Sequence, residues 1–379
     1  MKVLWITTNF YPAIGGIQVY TDKLTDALSK WCSIGLVTES NQSPSSNKSI
    51  SHFPIVNIRA PGTGQAFSSV GSQLSDICRN FGPQLVHFAN AGVAVYRDAI
   101  DLSIPGVVTV HGNDLTAPWQ QVPNCDIKTA IVSSLNSVTR IVAVSQHTRR
   151  LLADYSITTS IDVMTHGCDL SLFHPMAPDA SLIRKQLRIP EMRPILLTVA
   201  RFVPRKGHRI ILKALRQLQT EVHWIVVGKG PSFISFAEEV RSAGLESRIS
   251  ALRDVTNDQL CLLYNMCDIF VLTPEELTID GRLDSEGFGL VFHEAGACGK
   301  PVICSNISGC KEAVINGTTG ITVPPSDPNA LACAIDQLIM NPTLARSLGN
   351  KGALHVKQLG GWHRLAEQTY DLYCSLLSH

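Results

Sequence analysis

At 379 residues the chain exceeds the size of one compact core, and two domains of roughly 150–200 residues each are expected. A hydrophobic share of 45% with 17% charged residues excludes a chain that stays disordered as a whole. Thirty-two Lys+Arg stand against 31 Asp+Glu, and division at Leu170 leaves 11 basic and 11 acidic residues before it and 21 and 20 after it, so neither half has the basic excess of a nucleic-acid binder.

From the N-terminus, Val3–Thr7, Ile34–Thr38, Leu85–Phe88, Val107–Val110 and Ile141–Val144 read as buried strands of a parallel sheet. Between the first two, Gln18–Trp31 is helical, with Val19, Leu24, Ala27 and Leu28 on one face. Ser40–Ser51 and Pro61–Gln73, rich in Ser, Asn, Gly and Pro, read as irregular surface loops. Pro175, Pro178, Pro190 and Pro194 then cluster around a short helical piece and mark a boundary. A second strand series follows at Ile195–Ala200, His223–Val227, Ile269–Leu272 and Pro301–Cys304, and Trp362–Leu377 ends the chain as an amphipathic helix. Strands alternating with helices twice over predict an α/β protein of two doubly wound domains.

Three places carry residues suited to chemistry. Gly15-Gly16 stands ahead of the first helix, where bare amides approach an anion, but the spacing lacks the third glycine of a dinucleotide fingerprint. Arg201 and Lys206 follow the strand Ile195–Ala200 and together suit a diphosphate, the arginine as a fork and the lysine as a point charge. A solvated basic turn has the same composition, and residue type does not decide whether Arg205 or Lys206 points inward. The most specific segment is Ser285-Glu286-Gly287-Phe288-Gly289-Leu290, continuing to Glu294. It sets one carboxylate on a glycine loop and a second about one turn into a helix, where vicinal hydroxyls and anions find acceptors and amides.

In order and spacing these motifs resemble the retaining GT-B glycosyltransferases of glycosyltransferase family 4, over nearly the whole chain. The resemblance rests on Gly15-Gly16, Val110-His111-Gly112, Val142–Ser145, His166-Gly167-Cys168-Asp169, Ala200-Arg201 through Lys206-Gly207, Val227–Pro231 and Glu286 through Glu294. The chain departs from the usual family pattern at His166-Gly-Cys-Asp169 and Ala200-Arg201, without losing a functional group at the donor site. The charged lead-in Glu275–Leu283 resembles that of phosphatidylinositol-mannoside mannosyltransferases.

The resemblance implies two Rossmann-like domains with an interdomain cleft: 1–175 for the acceptor, 176–360 for the sugar-nucleotide donor, and 361–379 as a helix returning to the first domain. It further implies catalytic roles for His111, Arg201, Lys206 and Glu286. Arg201 and Lys206 would hold the diphosphate, Glu286 the transferred sugar, Glu294 the ribose, and the amides of Gly287, Phe288, Gly289 and Leu290 the sugar and phosphate. Gly15 and Gly16 would close over the phosphates, and Arg253 and Val255 would border the base. The expected reaction is retaining transfer of a hexose, from UDP-hexose in preference, to a glycan or lipid-linked acceptor. The alternatives are a GDP-mannose-dependent mannosyltransferase, a GT-B sugar-nucleotide epimerase and a non-catalytic nucleotide-sugar binder. No cofactor or metal is expected, since the chain has no Asp-x-Asp and its cations can stabilise the leaving group. Eleven cysteines without a Cys-x-x-Cys pair read as buried thiols in a reducing compartment. With an N-terminal apolar run too short for a signal peptide, the expectation is a cytoplasmic protein with at most peripheral contact at the inner face of a membrane.

Overall fold

The computed structural model describes residues 1–8, 10, 15–39, 47, 49–55, 58, 65–116, 127–279 and 282–378. The chain divides into two compact units, mainly Met1–Gly167 with Trp362–His379, and Cys168–Ile279 with Asp284–Gly361.

In the first unit, β1 (Lys2–Ile6), β2 (Ser33–Glu39), β3 (Ser51–Ile55), β4 (Leu85–Phe88), β5 (Gly106–Val110), β6 (Arg140–Ala143) and β7 (Ile161–Val163) form one sheet in the order β3-β2-β1-β4-β5-β6-β7. Every neighbouring pair is parallel. The central strands are apolar on both faces because helices cover both, and Leu4, Ile6, Val86, Phe88, Val108 and Val110 join one core. Helix Gly16–Leu28 buries Tyr20, Leu24 and Leu28. Helix Trp362–Leu377 packs against it within this unit, where His363 stacks on Trp31 with ring centroids 5.0 Å apart. Its Tyr373 hydroxyl lies 2.5 Å from Nδ1 of buried His87.

Two sequence expectations change here. Of Pro61–Gln73, residues 61–64 lie outside the described residues, and the remainder opens helix Gln65–Phe81 instead of a loop. Phe67, Val70, Leu74, Ile77, Cys78 and Phe81 recur every three or four residues and reach the core, so tertiary burial overrides the weak helical propensity of Gly and Ser. Of Ser40–Ser51, residues 40–46 and 48 lie outside the described residues, while Ser51 begins β3.

The second unit repeats the plan. β8 (Ile195–Val199), β9 (His223–Val227), β10 (Ile249–Leu252) and β11 (Ile269–Leu272) precede a short ribbon of β12 (Leu277–Ile279) and β13 (Arg282–Asp284). β14 (Val302–Ser305) and β15 (Gly320–Val323) complete a parallel sheet ordered β10-β9-β8-β11-β14-β15. Its core gathers Leu196, Trp224, Val226, Val271 and Ile303 from the strands, with Ile211 and Leu215 from helix His208–Leu215. Strand order reverses between β1 and β4 in one sheet and between β8 and β11 in the other. Crevices beyond the carboxyl ends of strands at such reversals are where open parallel sheets bind ligands.

Candidate active site

At the second reversal, β8 leads through Ala200–Val203 into a single 3₁₀ turn, Pro204–Lys206, and then Gly207. Gly207 has φ +68°, and a Cβ there would lie 1.8 Å from the Thr273 carbonyl oxygen just past β11. Only glycine lets these two strand ends meet, and their meeting aims the turn inward. Both Arg205 and Lys206 face Glu286: Arg205 Nη1 donates to Glu286 Oε2 at 2.8 Å, and Lys206 Nζ donates to the same oxygen. Arg205 Nε also forms an ion pair with Asp284 Oδ1 at 3.1 Å. Arg201 is exposed, has no ion pair among the described residues, and stands within electrostatic reach of Arg205, Glu286 and Asp284. Burial alone would raise the Glu286 carboxyl, but Lys206 and Arg205 outweigh it and hold it at about 2.

Glu286 opens the loop Ser285–Gly289, which feeds helix Leu290–Ala297 through Gly289 at φ +91°. No side chain caps that helix, and of its first-turn amides Phe292 N donates to the Gly289 carbonyl at 3.1 Å. The Gly287 carbonyl lies so near Gly309 that a Cβ on Gly309 would approach it to 2.0 Å, and Gly309 N donates to Glu286 O at 3.1 Å. The loop is thereby fixed from behind. Phe288 turns its ring into the interior, edge-on to His293 at 4.8 Å, which leaves only its backbone for a ligand. Leu290 is half-buried.

Glu294, the fifth residue of the helix, accepts a 2.7 Å hydrogen bond at Oε2 from the Tyr264 hydroxyl. Burial pushes its carboxyl up to about 7; the Tyr264 bond opposes the rise and Asp169 adds to it. Tyr264 stands on helix Asn257–Met266, 30 residues earlier in the chain, so no local motif announces it.

Past β9 and β10, Gly228 N donates to Leu252 O at 2.9 Å and Phe202 N to Lys229 O at 2.8 Å, which joins these strand ends to the loop that carries Arg201. Arg253, exposed, holds its guanidinium 4.9 Å from the Phe233 ring centroid, and Val255 beside it is half-buried. Lys229 and Asp254 form an exposed ion pair.

His111, Gly15 and Gly16 belong to the first unit. His111 follows β5, and its Nε2 donates to the Ala89 carbonyl beyond β4 at 3.0 Å. Burial lowers its pKa, against the opposing pull of Asp114, so the ring is neutral and Nδ1 is left as an acceptor. Asp114 accepts from the backbone N–H groups of His111 and Ala91 at 2.8 and 2.9 Å and fixes the turn. Gly15 is the extended N-cap of helix Gly16–Leu28, which starts two residues earlier than its apolar pattern indicates. Of the residues leading to it, 11–14 lie outside the described set.

The second-unit cluster combines cations, a helix start without a side-chain cap, and one buried and one half-buried carboxylate, Glu286 and Glu294, an arrangement suited to a diphosphate joined to hydroxyl-rich groups. With two doubly wound parallel-sheet units, this is the class of the GT-B glycosyltransferases. The family pattern described as Glycosyltransferase Family 4 matches residues 14–172, and that described as Glycosyl transferases group 1 matches 179–355. The chain therefore belongs to these glycosyltransferases, enzymes that transfer a sugar from a nucleotide sugar.

Among its relatives, the GDP-mannose-dependent alpha-(1-6)-phosphatidylinositol monomannoside mannosyltransferase of Mycolicibacterium smegmatis is 25% identical over 367 residues, 92% of each chain. The GDP-mannose-dependent monoacylated alpha-(1-6)-phosphatidylinositol monomannoside mannosyltransferase of Corynebacterium glutamicum is also 25% identical, across 98% of this chain and 97% of its own. Sucrose-phosphate synthase from Thermosynechococcus elongatus superposes with a TM-score of 0.83 at 23% identity, covering 100% of this chain and 99% of that one.

Proposed function

We propose that the protein is a retaining, metal-independent hexosyltransferase that moves mannose from GDP-mannose to a hydroxyl of a glycan or glycolipid. The observation that carries the reading is the Arg205–Lys206–Glu286 cluster beside exposed Arg201 at the strand-order reversal. The C1–O bond to the diphosphate breaks while the acceptor oxygen bonds to C1 on the same face. The acceptor proton passes to the leaving phosphate oxygen. Arg201 and Lys206 stabilise the charge that develops on the diphosphate, and the N-terminal end of helix Leu290–Ala297 adds to it. Glu286 orients the sugar hydroxyls, Glu294 takes the ribose, and His111 accepts from a sugar hydroxyl at Nδ1. These two cations supply the charge that a divalent ion would otherwise bring, so no metal or other cofactor takes part.

The sequence favours a UDP-hexose. The two mannosyltransferases, similar over nearly the whole chain, move the reading to GDP-mannose. Asp254 supports it. Next to Arg253 at the expected base site, its exposed carboxylate suits the paired N1–H and N2 amino donors of guanine, whereas uracil presents a single ring N–H. The buried free thiols fit a reducing compartment, so we place the enzyme in the cytoplasm. No helix among the described residues is long and apolar enough to cross a membrane, and we take any contact with its inner face to be peripheral.

The test pairs a thermal-shift series of GDP-, UDP- and ADP-sugars with transfer assays in excess EDTA. GDP-mannose is expected to raise the melting temperature most, since a ligand of the native state stabilises it, and α-linked product is expected to form with EDTA present. A larger shift with UDP-glucose would reassign the nucleotide. Loss of transfer that added metal restores would contradict the metal-free mechanism.

A further inference from the structure

Lys206 has two claims on it. Without ligand its ammonium is bound to Glu286, yet the proposed reaction needs it on the diphosphate. A buried carboxylate cannot lose its only cation without being driven toward protonation. Glu286 does not depend on Lys206 alone, because Arg205 occupies the same carboxylate oxygen.

Arg205 is also built to stay where it is. Its side chain is 7% exposed, its Nε pairs with Asp284, and its carbonyl accepts from Glu275 N at 2.7 Å. Asp284 and Glu286 lie two residues apart, the spacing that lets one guanidinium span both carboxylates. The charged and titratable groups around Glu286 are Lys206, Arg205, Arg201, Asp284 and Cys310. Three cations thus face two carboxylates, and the surplus is available to the donor phosphates.

We propose that Arg205 is a positioning residue: tethered by Asp284, it keeps Glu286 ionised and aimed at the sugar while Lys206 passes from Glu286 to the diphosphate. This rests on the reading that Arg201 and Lys206 receive the diphosphate.

The experiment compares kcat, donor KM, the pH profile of kcat and stabilisation by GDP in wild type, Arg205→Met, Arg205→Lys and Asp284→Asn. In Arg205→Met we expect GDP stabilisation and donor KM near wild type, with kcat lower on the order of 10²-fold through misplacement of Glu286. We also expect a new acid limb in kcat, at higher pH than in wild type, because Glu286 loses a cation that holds its carboxyl down. Arg205→Lys should recover part of kcat. Asp284→Asn, which keeps the guanidinium but removes its tether, should show the same changes to a smaller degree and carries the test if Arg205→Met does not fold.

Unchanged kcat and pH profile in the Arg205 and Asp284 variants would overturn the proposal. So would loss of GDP stabilisation with raised KM and no acid limb, which would make Arg205 a direct phosphate ligand. The underlying reading fails separately, through Lys206→Ala that keeps full GDP stabilisation and full turnover.

Discussion

The two units share one strand plan but furnish their reversal points differently. Beyond β8 and β11 the second unit sets Arg205, Lys206, Asp284 and Glu286 in mutual ion pairs, with Arg201 exposed beside them. Beyond β4 and β5 the first unit offers His111, neutral and hydrogen-bonded to a backbone carbonyl. Fixed charge is most effective where charge develops during reaction, and a neutral acceptor suits a hydroxyl that stays uncharged. On the proposed reading, the difference would give the diphosphate to the second unit and ask of His111 only a polar, uncharged contact.

Removing a cation from the second unit should have the largest effect. We predict that Lys206→Ala lowers kcat/KM for the donor on the order of 10²–10³-fold, the loss typical of a transition-state charge stabiliser. A variant within threefold of wild type in steady-state assays would erase the contrast between the units.

Next in size is a pH effect within the second unit. Glu294, raised to about 7, is mostly protonated below neutrality, and on the proposed reading it would then lose acceptor capacity toward the ribose. Donor KM should accordingly increase about threefold to tenfold as pH falls from 8 to 6. Glu286, held at about 2, stays ionised throughout that range and adds nothing to the trend. Tyr264→Phe removes the bond that holds the Glu294 carboxyl down, so the midpoint should move upward. A flat KM profile between pH 6 and 8 would remove Glu294 from the donor site.

The smallest change belongs to the first unit. His111→Ala forfeits one neutral hydrogen bond and should reduce kcat/KM only about threefold to tenfold. A loss matching that of Lys206→Ala would mean that the first unit also handles charge.

The central strands are legible because burial on both faces demands unbroken apolar runs, as in Leu85–Phe88 and Ile269–Leu272. β3, β7, β10 and β15 carry no such run, and each is a sheet edge with partly exposed residues. The glycine loop with Glu286 and Glu294 is equally legible, since its amides and carboxylates are set by local spacing. What spacing cannot convey is the pairing of distant side chains. Arg205 reaches Glu286 across 81 positions and Tyr264 reaches Glu294 across 30, both brought together by strand order. Arg205 and Lys206 looked like competing candidates only because a 3₁₀ turn that presents both to one carboxylate has no marker in composition.

The most direct measurement is a crystal structure with GDP bound. The account predicts Arg201 and Lys206 Nζ within hydrogen-bonding distance of the diphosphate oxygens, Glu294 on the ribose hydroxyls, and Arg205 still on Glu286. A nucleotide seated elsewhere, with Lys206 still bound to Glu286 and Arg201 turned to solvent, would contradict it.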